Sequence, residues 1–152
     1  MNKNHSPVLM MEDHELSRIL EELAEKYATQ KVLSKCCDLK LPLVYEPKSP
    51  VELEEIIDKC RLVVVNFYST NCPYCMVFHR IYEATARRYY GRAVFLRYNV
   101  EYDPSIAWNY NVMGTPTTII FVDRNVSRFI PGYVPLELFE NVLLEEIRKA
   151  RC

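Results

Sequence analysis

Apolar positions along the chain follow two different rhythms. Between Glu12 and about Lys35, Leu16, Ile19, Leu20, Leu23 and Tyr27 recur every three or four residues with charges between them. That period predicts one amphipathic helix, on which Glu22 and Lys26 stand at the i,i+4 spacing of an ion pair. From Leu39 the pattern shortens. Leu39 to Tyr45 reads as a strand closed by Pro47 and Pro50. Ser49-Pro50-Val51-Glu52 then supplies a capping hydroxyl, a proline at the first helical position and an acid in the first turn. The helix it opens runs through Leu53, Ile56 and Ile57 to about Lys59. Leu62 to Tyr68 is almost unbroken apolar sequence, which predicts a strand buried on both faces. A helix to about Tyr90 follows, then a strand from Ala93 to Val100. Asp103-Pro104 starts a short helix carrying Trp108 and Tyr110. Thr117 to Val122 is a β-branched strand, and Asp123-Arg124-Asn125 turns it into a hairpin partner, Val126 to Ile130. Gly132 breaks the chain before a last helix from Pro135.

The predicted order is α-β-α-β-α-β-α-β-β-α. Early crossovers and a late hairpin imply an α/β fold with a central mixed sheet and helices on both faces. An N-terminal helical extension, residues 1–38, precedes a domain over residues 39–152.

Composition narrows the function classes. The 152 residues make one domain of ordinary size with an appendage, and 49% hydrophobic against 26% charged residues is a globular balance. A net charge of −1 provides no basic field for nucleic acid or an anionic membrane. The run Arg87-Arg88-Tyr89-Tyr90-Gly91-Arg92 reads as a helix C-terminus, with cations against the dipole and Gly91 as the left-handed stop. No stretch is long and apolar enough to span a bilayer. The apolar residues Val8 to Met11 are too few for a signal-peptide core, so the expected location is cytoplasmic. Six cysteines are many for a cytosolic chain, although hyperthermophile cytosols tolerate disulfides. Only 3 glycines against 9 prolines also fit a thermophilic source.

The chemistry concentrates at Cys72-Pro73-Tyr74-Cys75, between the buried strand and the helix it feeds. The first N–H groups of a helix lack intrahelical partners, and the helix dipole is positive there. Both favour a thiolate, so the Cys72 thiol is expected to ionise below its free pKa of about 8.5. The second thiol, three residues on, suits a disulfide that opens and closes. A lone C-x-x-C is also half of a zinc site. However, Cys36-Cys37, Cys60 and Cys152 show no complementary spacing, and no metal is expected. Adjacent cysteines rarely bridge each other, so Cys36 or Cys37 either staples to Cys60 or both remain plain thiols. Cys152, the last residue, is expected to be mobile. His79 lies more than a turn from Cys72 and reads as a surface position of the helix.

These residues resemble the thioredoxin superfamily from about Leu39 to Arg151. Three features carry the resemblance together. They are Val65-Asn66-Phe67-Tyr68-Ser69-Thr70-Asn71-Cys72-Pro73-Tyr74-Cys75, then Gly114-Thr115-Pro116-Thr117 before a β-branched strand, and Gly132 between the hairpin and the final helix. The resemblance implies a thioredoxin-like fold and a cis Thr115–Pro116 bond lying against the dithiol, with Thr115 pairing to an extended substrate strand. It implies Cys72 as nucleophile, Cys75 as resolving cysteine and a redox-active Cys72–Cys75 disulfide. Tyr68, Pro73 and Tyr74 would shape the substrate surface. Disulfide-containing proteins are the implied substrates, a reductase the implied electron donor, and no cofactor is needed. Apart from the resemblance, the apolar stripe of the N-terminal helix reads either as a face packed on the following domain or as a contact for a partner or a second copy.

The chain departs from the family pattern at several positions. Asn66 stands where many members carry a buried acid, which implies slower resolution by Cys75. Arg97 replaces the usual lysine nearby, and Met76 makes the rim less basic. Pro73-Tyr74 is the glutaredoxin pairing, although the paired glycines of that group are missing. A potential between about −270 and −180 mV is expected. Two other functions stay open: a disulfide oxidase or isomerase of the protein disulfide isomerase type, and a metal-binding or partner-docking module.

Overall fold

Strand β1, Leu62–Tyr68, is the centre from which the rest is built. Its first six residues are buried, and it pairs with a parallel neighbour on one edge and an antiparallel one on the other. In a computed structural model that describes residues 7–33 and 36–152, with side chains given over 13–26 and 36–152, the chain divides into two compact units, Met1–Ser34 and Lys35–Cys152.

The first unit is a single helix, α1, Pro7–Leu33. Leu16, Ile19, Leu20 and Leu23, the stripe expected to be its buried face, are all exposed. The side chain of Tyr27 and the expected helix end near Lys35 lie outside the described residues.

In the second unit, α2, Pro50–Lys59, begins as its sequence dictates: Ser49 caps Glu52 N–H at 3.1 Å and Pro50 fills the first turn. After β1 come α3, Pro73–Arg88, and β2, Val94–Asn99. Then follow α4, Pro104–Asn109, the hairpin β3, Thr117–Val122, with β4, Asn125–Pro131, and α5, Leu136–Ala150. The sheet order is β2-β1-β3-β4, with β2 parallel to β1 and the other pairs antiparallel. Asp123 and Arg124 both take positive φ, as a two-residue hairpin loop with the right twist requires.

Alternation along β1 splits the core in two. Leu62 and Val64 face α3 and α5 through Phe78, Tyr82, Phe139 and Leu143. Val63, Val65 and Phe67 face α2 and α4 through Leu53, Ile56 and Ile106. Tyr82, fully buried, places its hydroxyl 2.9 Å from the Val64 carbonyl and 2.7 Å from that of Leu96, and so bridges two strands.

Two expectations are corrected. Leu39–Tyr45 is not a strand. Its sole strand-like pairing is at Tyr45, whose N–H donates to Phe95 O and whose carbonyl accepts from Arg97 N–H. Pro42 cannot donate to a ladder, and no continuous strand forms around it. Cys152 is not a loose end either. It is bonded to Cys36, and Cys37 is bonded to Cys60, with Cα atoms 5.8 and 4.4 Å apart. Both bridges anchor the residues just before the sheet, at the end of β1 remote from Cys72.

Candidate functional site

The C-terminal end of β1 delivers the chain to a turn that only a few residue types could make. Asn71 takes a left-handed conformation at φ 57°, which asparagine tolerates better than most residues. Cys72 then becomes the N-cap of α3, and Pro73 supplies a first turn that needs no N–H. The Cys72 sulfur accepts the Cys75 N–H at 3.2 Å, so it sits among the free amides of the helix start. Cys72 and Cys75 are disulfide-bonded. Cys75 is buried at 2% exposure whereas Cys72 is partly open, so an incoming sulfur meets Cys72 first. Pro73, Tyr74 and Met76 are exposed around it.

A second segment closes over the pair. The Thr115–Pro116 bond is cis. Thr117 Oγ1 donates to Gly114 O at 2.6 Å across this turn, and Gly132 N–H holds Pro116 O at 2.8 Å. Gly132 has a φ of +82°, which favours glycine. The Cys72 sulfur lies 3.6 Å from Thr115 O and 3.8 Å from its hydroxyl. Ser69 Oγ, 2.6 Å from Thr115 Oγ1, ties the two segments. Beside them a groove runs past Met113, Thr115, Pro116, Phe129 and Gly132.

On β1, six residues before Cys72, the sheet turns polar. Asn66, fully buried, donates through Nδ2 to Thr118 Oγ1 at 3.2 Å. Arg97 is its register partner on β2, and the guanidinium stacks on the Tyr68 ring with 3.8 Å to the centroid. Tyr68 donates its hydroxyl to Glu46, and burial together with that carboxylate pushes its pKa up to about 12. Its phenol therefore stays protonated at ordinary pH. His79, read as a surface position, is one only in part. It is half-buried, its Nδ1 fully so, and Nε2 lies 3.2 Å from Glu83 Oε1. Burial, and then the Arg97 charge, lower its pKa below the ordinary histidine range, against the opposing pull of Glu83 and Glu46.

Sequence reasoning missed Ser69, Glu46 and Glu83. The i,i+4 spacing of His79 and Glu83 was the one available sign. No group of three or more candidate metal ligands occurs among the described residues, and no described helix is long and apolar enough to cross a membrane.

Comparison with known proteins gives a consistent result. The family model described as Thioredoxin matches residues 46–144. A thioredoxin of Chlorobaculum thiosulfatiphilum is 30% identical over 93 residues, covering 61% of this chain and 86% of that protein. A thioredoxin of Staphylococcus aureus is 35% identical over 80 residues, covering 53% and 77%. Among solved structures, a mutant thioredoxin from Halobacterium salinarum superposes with a TM-score of 0.64 at 19% identity, covering 70% of this chain and 94% of that one. The oxidised thioredoxin from Plasmodium falciparum gives 0.59 at 22%, covering 72% and 99%. The chain belongs to the thioredoxin family, a family of thiol–disulfide oxidoreductases.

Proposed function

We propose that the protein reduces disulfides of other proteins through the Cys72/Cys75 dithiol. The observation that carries this reading is the asymmetry of the pair: Cys72 is partly open at a helix N-terminus, and Cys75 is buried behind it. The Cys72 thiolate attacks a substrate disulfide, forming a mixed disulfide and releasing one substrate thiolate. Cys75 then attacks Cys72, and the second substrate sulfur leaves. An extended substrate strand pairs with the Thr115 backbone, as in β-augmentation. Tyr74, Met76 and Met113, all exposed, give it apolar contact. A reductase of the same chemistry returns the electrons.

The proposed setting is a cytoplasm whose thiol poise lets the Cys36–Cys152 and Cys37–Cys60 bridges persist. The exposed apolar stripe of α1 supports a role for that helix in docking a partner or a second copy.

The direction of electron flow follows from the potential of the Cys72–Cys75 couple, read by redox-buffer titration with thiol trapping and peptide mass. A value near −270 mV, about that of thioredoxin, fits a reductase; one above about −200 mV would make it an oxidant or isomerase instead. If no two-electron couple appears at these cysteines, the redox reading is wrong.

A further inference from the structure

The resolving step needs something the dithiol does not itself supply. Cys75 is buried at 2% exposure, and burial opposes formation of its thiolate. A proton acceptor must therefore stand close to it. Asn66, the buried polar side chain six residues before Cys72, cannot titrate.

Three buried side-chain atoms lack a hydrogen-bond partner among the described residues: Asn66 Oδ1, His79 Nδ1 and Arg97 Nε. They are not scattered. Asn66 and Arg97 are opposite each other on β1 and β2, on the sheet face that α3 covers with Phe78 and Tyr82. His79 is on α3, four residues after Cys75 and so on the same side of the helix. Helical side chains lean toward the N-terminus, which carries the His79 ring back over the turn that begins at Cys75.

The protonation of that ring is set by its neighbour. Glu83 can only accept, so at 3.2 Å the hydrogen belongs to Nε2, and Nδ1 keeps its lone pair. This is a carboxylate-oriented imidazole with a buried, unused acceptor. Burial and the Arg97 charge hold it neutral near pH 7, while Glu83 and Glu46 pull the other way.

We propose that His79, oriented by Glu83, is the proton acceptor that activates Cys75 for resolution. This rests on the oxidoreductase reading above. In the step, the Cys75 S–H proton passes to His79 Nδ1. The Cys75 sulfur forms its bond to the Cys72 sulfur, and the bond from Cys72 to substrate breaks. The departing electron pair stays on the substrate sulfur, which takes the proton from the imidazolium. The dithiol is oxidised and the substrate disulfide reduced, with no further reactant.

Stopped-flow mixing of the protein, reduced at Cys72 and Cys75, with 5,5′-dithiobis(2-nitrobenzoate) separates the two chemical steps. The first thionitrobenzoate released reports bimolecular attack by Cys72. The second, independent of reagent concentration, reports resolution by Cys75, and its leaving group needs no proton. In the wild-type protein the second phase should fall as pH drops through the His79 titration, below about 6.5. In His79→Gln it should be about 100-fold slower at pH 7, the low end of a positioned base's effect. It should also lose that step and rise steadily with pH, while the first phase stays within about twofold. Glu83→Gln, a substitution at a partly exposed side chain, should move the step to lower pH, because the carboxylate favours the imidazolium. A wild-type second phase with no step below pH 6.5 would overturn the proposal whether or not the variants fold. So would His79→Gln or Glu83→Gln profiles that match wild type. If Cys72 releases no first equivalent, the oxidoreductase reading itself falls.

Discussion

Removing the Cys36–Cys152 bridge should cost this protein a large part of its stability. The bridge joins positions 116 residues apart. Constraining an unfolded chain over that distance lowers its entropy by about 16 cal/mol/K, or about 4.8 kcal/mol at 25 °C. Cys37–Cys60, across 23 residues, is nested inside and shortens the outer loop. With it closed, the outer bridge still contributes about 4.6 kcal/mol. Total stabilities of domains this size run at about 5–15 kcal/mol, so the effect is not a small correction. The variant Cys36→Ala/Cys152→Ser removes the bridge, but it also trims a buried side chain at Cys36. A cycle cancels that loss: guanidinium unfolding of wild type and variant, each with and without reductant. The reductant-dependent loss should be larger in wild type by about 4–5 kcal/mol, a midpoint shift of about 1 M. A difference under about 1 kcal/mol would show that the bridge does not constrain the unfolded chain as argued.

Other outcomes follow from the polar groups. Asn66→Asp puts a titratable carboxylate six residues before Cys72 and should speed release of a mixed disulfide from Cys72; an unchanged release rate would remove Asn66 as a modulating position. Arg128→Ala strips the guanidinium whose Nε lies 2.8 Å from the buried Glu146 carboxylate. Ser127 and Lys149 remain nearby, so the carboxylate keeps part of its support and a lowered denaturant midpoint is expected. His79 binds its proton more weakly folded than unfolded. The unfolded chain therefore carries more protons below about pH 6.5, and stability should fall with decreasing pH from there down through the folded pKa. In His79→Gln that part of the slope should vanish from a series of denaturation curves between pH 7 and 5.

Much of the architecture is legible because local pattern and tertiary role agree. Leu62–Tyr68 is read correctly because a strand buried on both faces is nearly continuous in apolar residues, and no helix could use that run at so short a length. Ser49-Pro50 and Cys72-Pro73 each announce a helix start, since a proline ring is best accommodated where the N–H would be unused. Leu39–Tyr45 misleads because it shares the composition of a strand, yet around Pro42 only Tyr45 finds ladder partners. The exposed stripe of α1 has the periodicity of a buried face, and periodicity does not say what covers a face. The bridge from Cys36 to Cys152 has no local signature at all, since sulfur pairing depends on distances created by the whole fold. His79 is only partly legible for a related reason. Measured from Cys72 along the helix it is remote, but its setting comes from Arg97 on another strand and from Glu46.

The three disulfides differ in what surrounds them, and under the proposed function that difference would let one of them turn over while the others hold. Exchange requires a thiolate to reach a sulfur and a stabilised thiolate to leave. At Cys72 the sulfur is partly open to attack, and in the reduced pair the Cys75 amide and the helix dipole favour its thiolate as the attacking group. Each remote bridge has one deeply buried partner, Cys36 or Cys60, at 3% exposure. Neither bridge has a sulfur at a helix N-terminus, and Cys60 is the C-cap of α2, where the dipole opposes a thiolate. Cys36–Cys152 and Cys37–Cys60 hold the ends of the domain at the opposite end of β1 from Cys72. In the proposed reaction, opening Cys72–Cys75 would therefore leave the sheet and its staples undisturbed, with electrons passing through one pair and the other two bridges supplying strength.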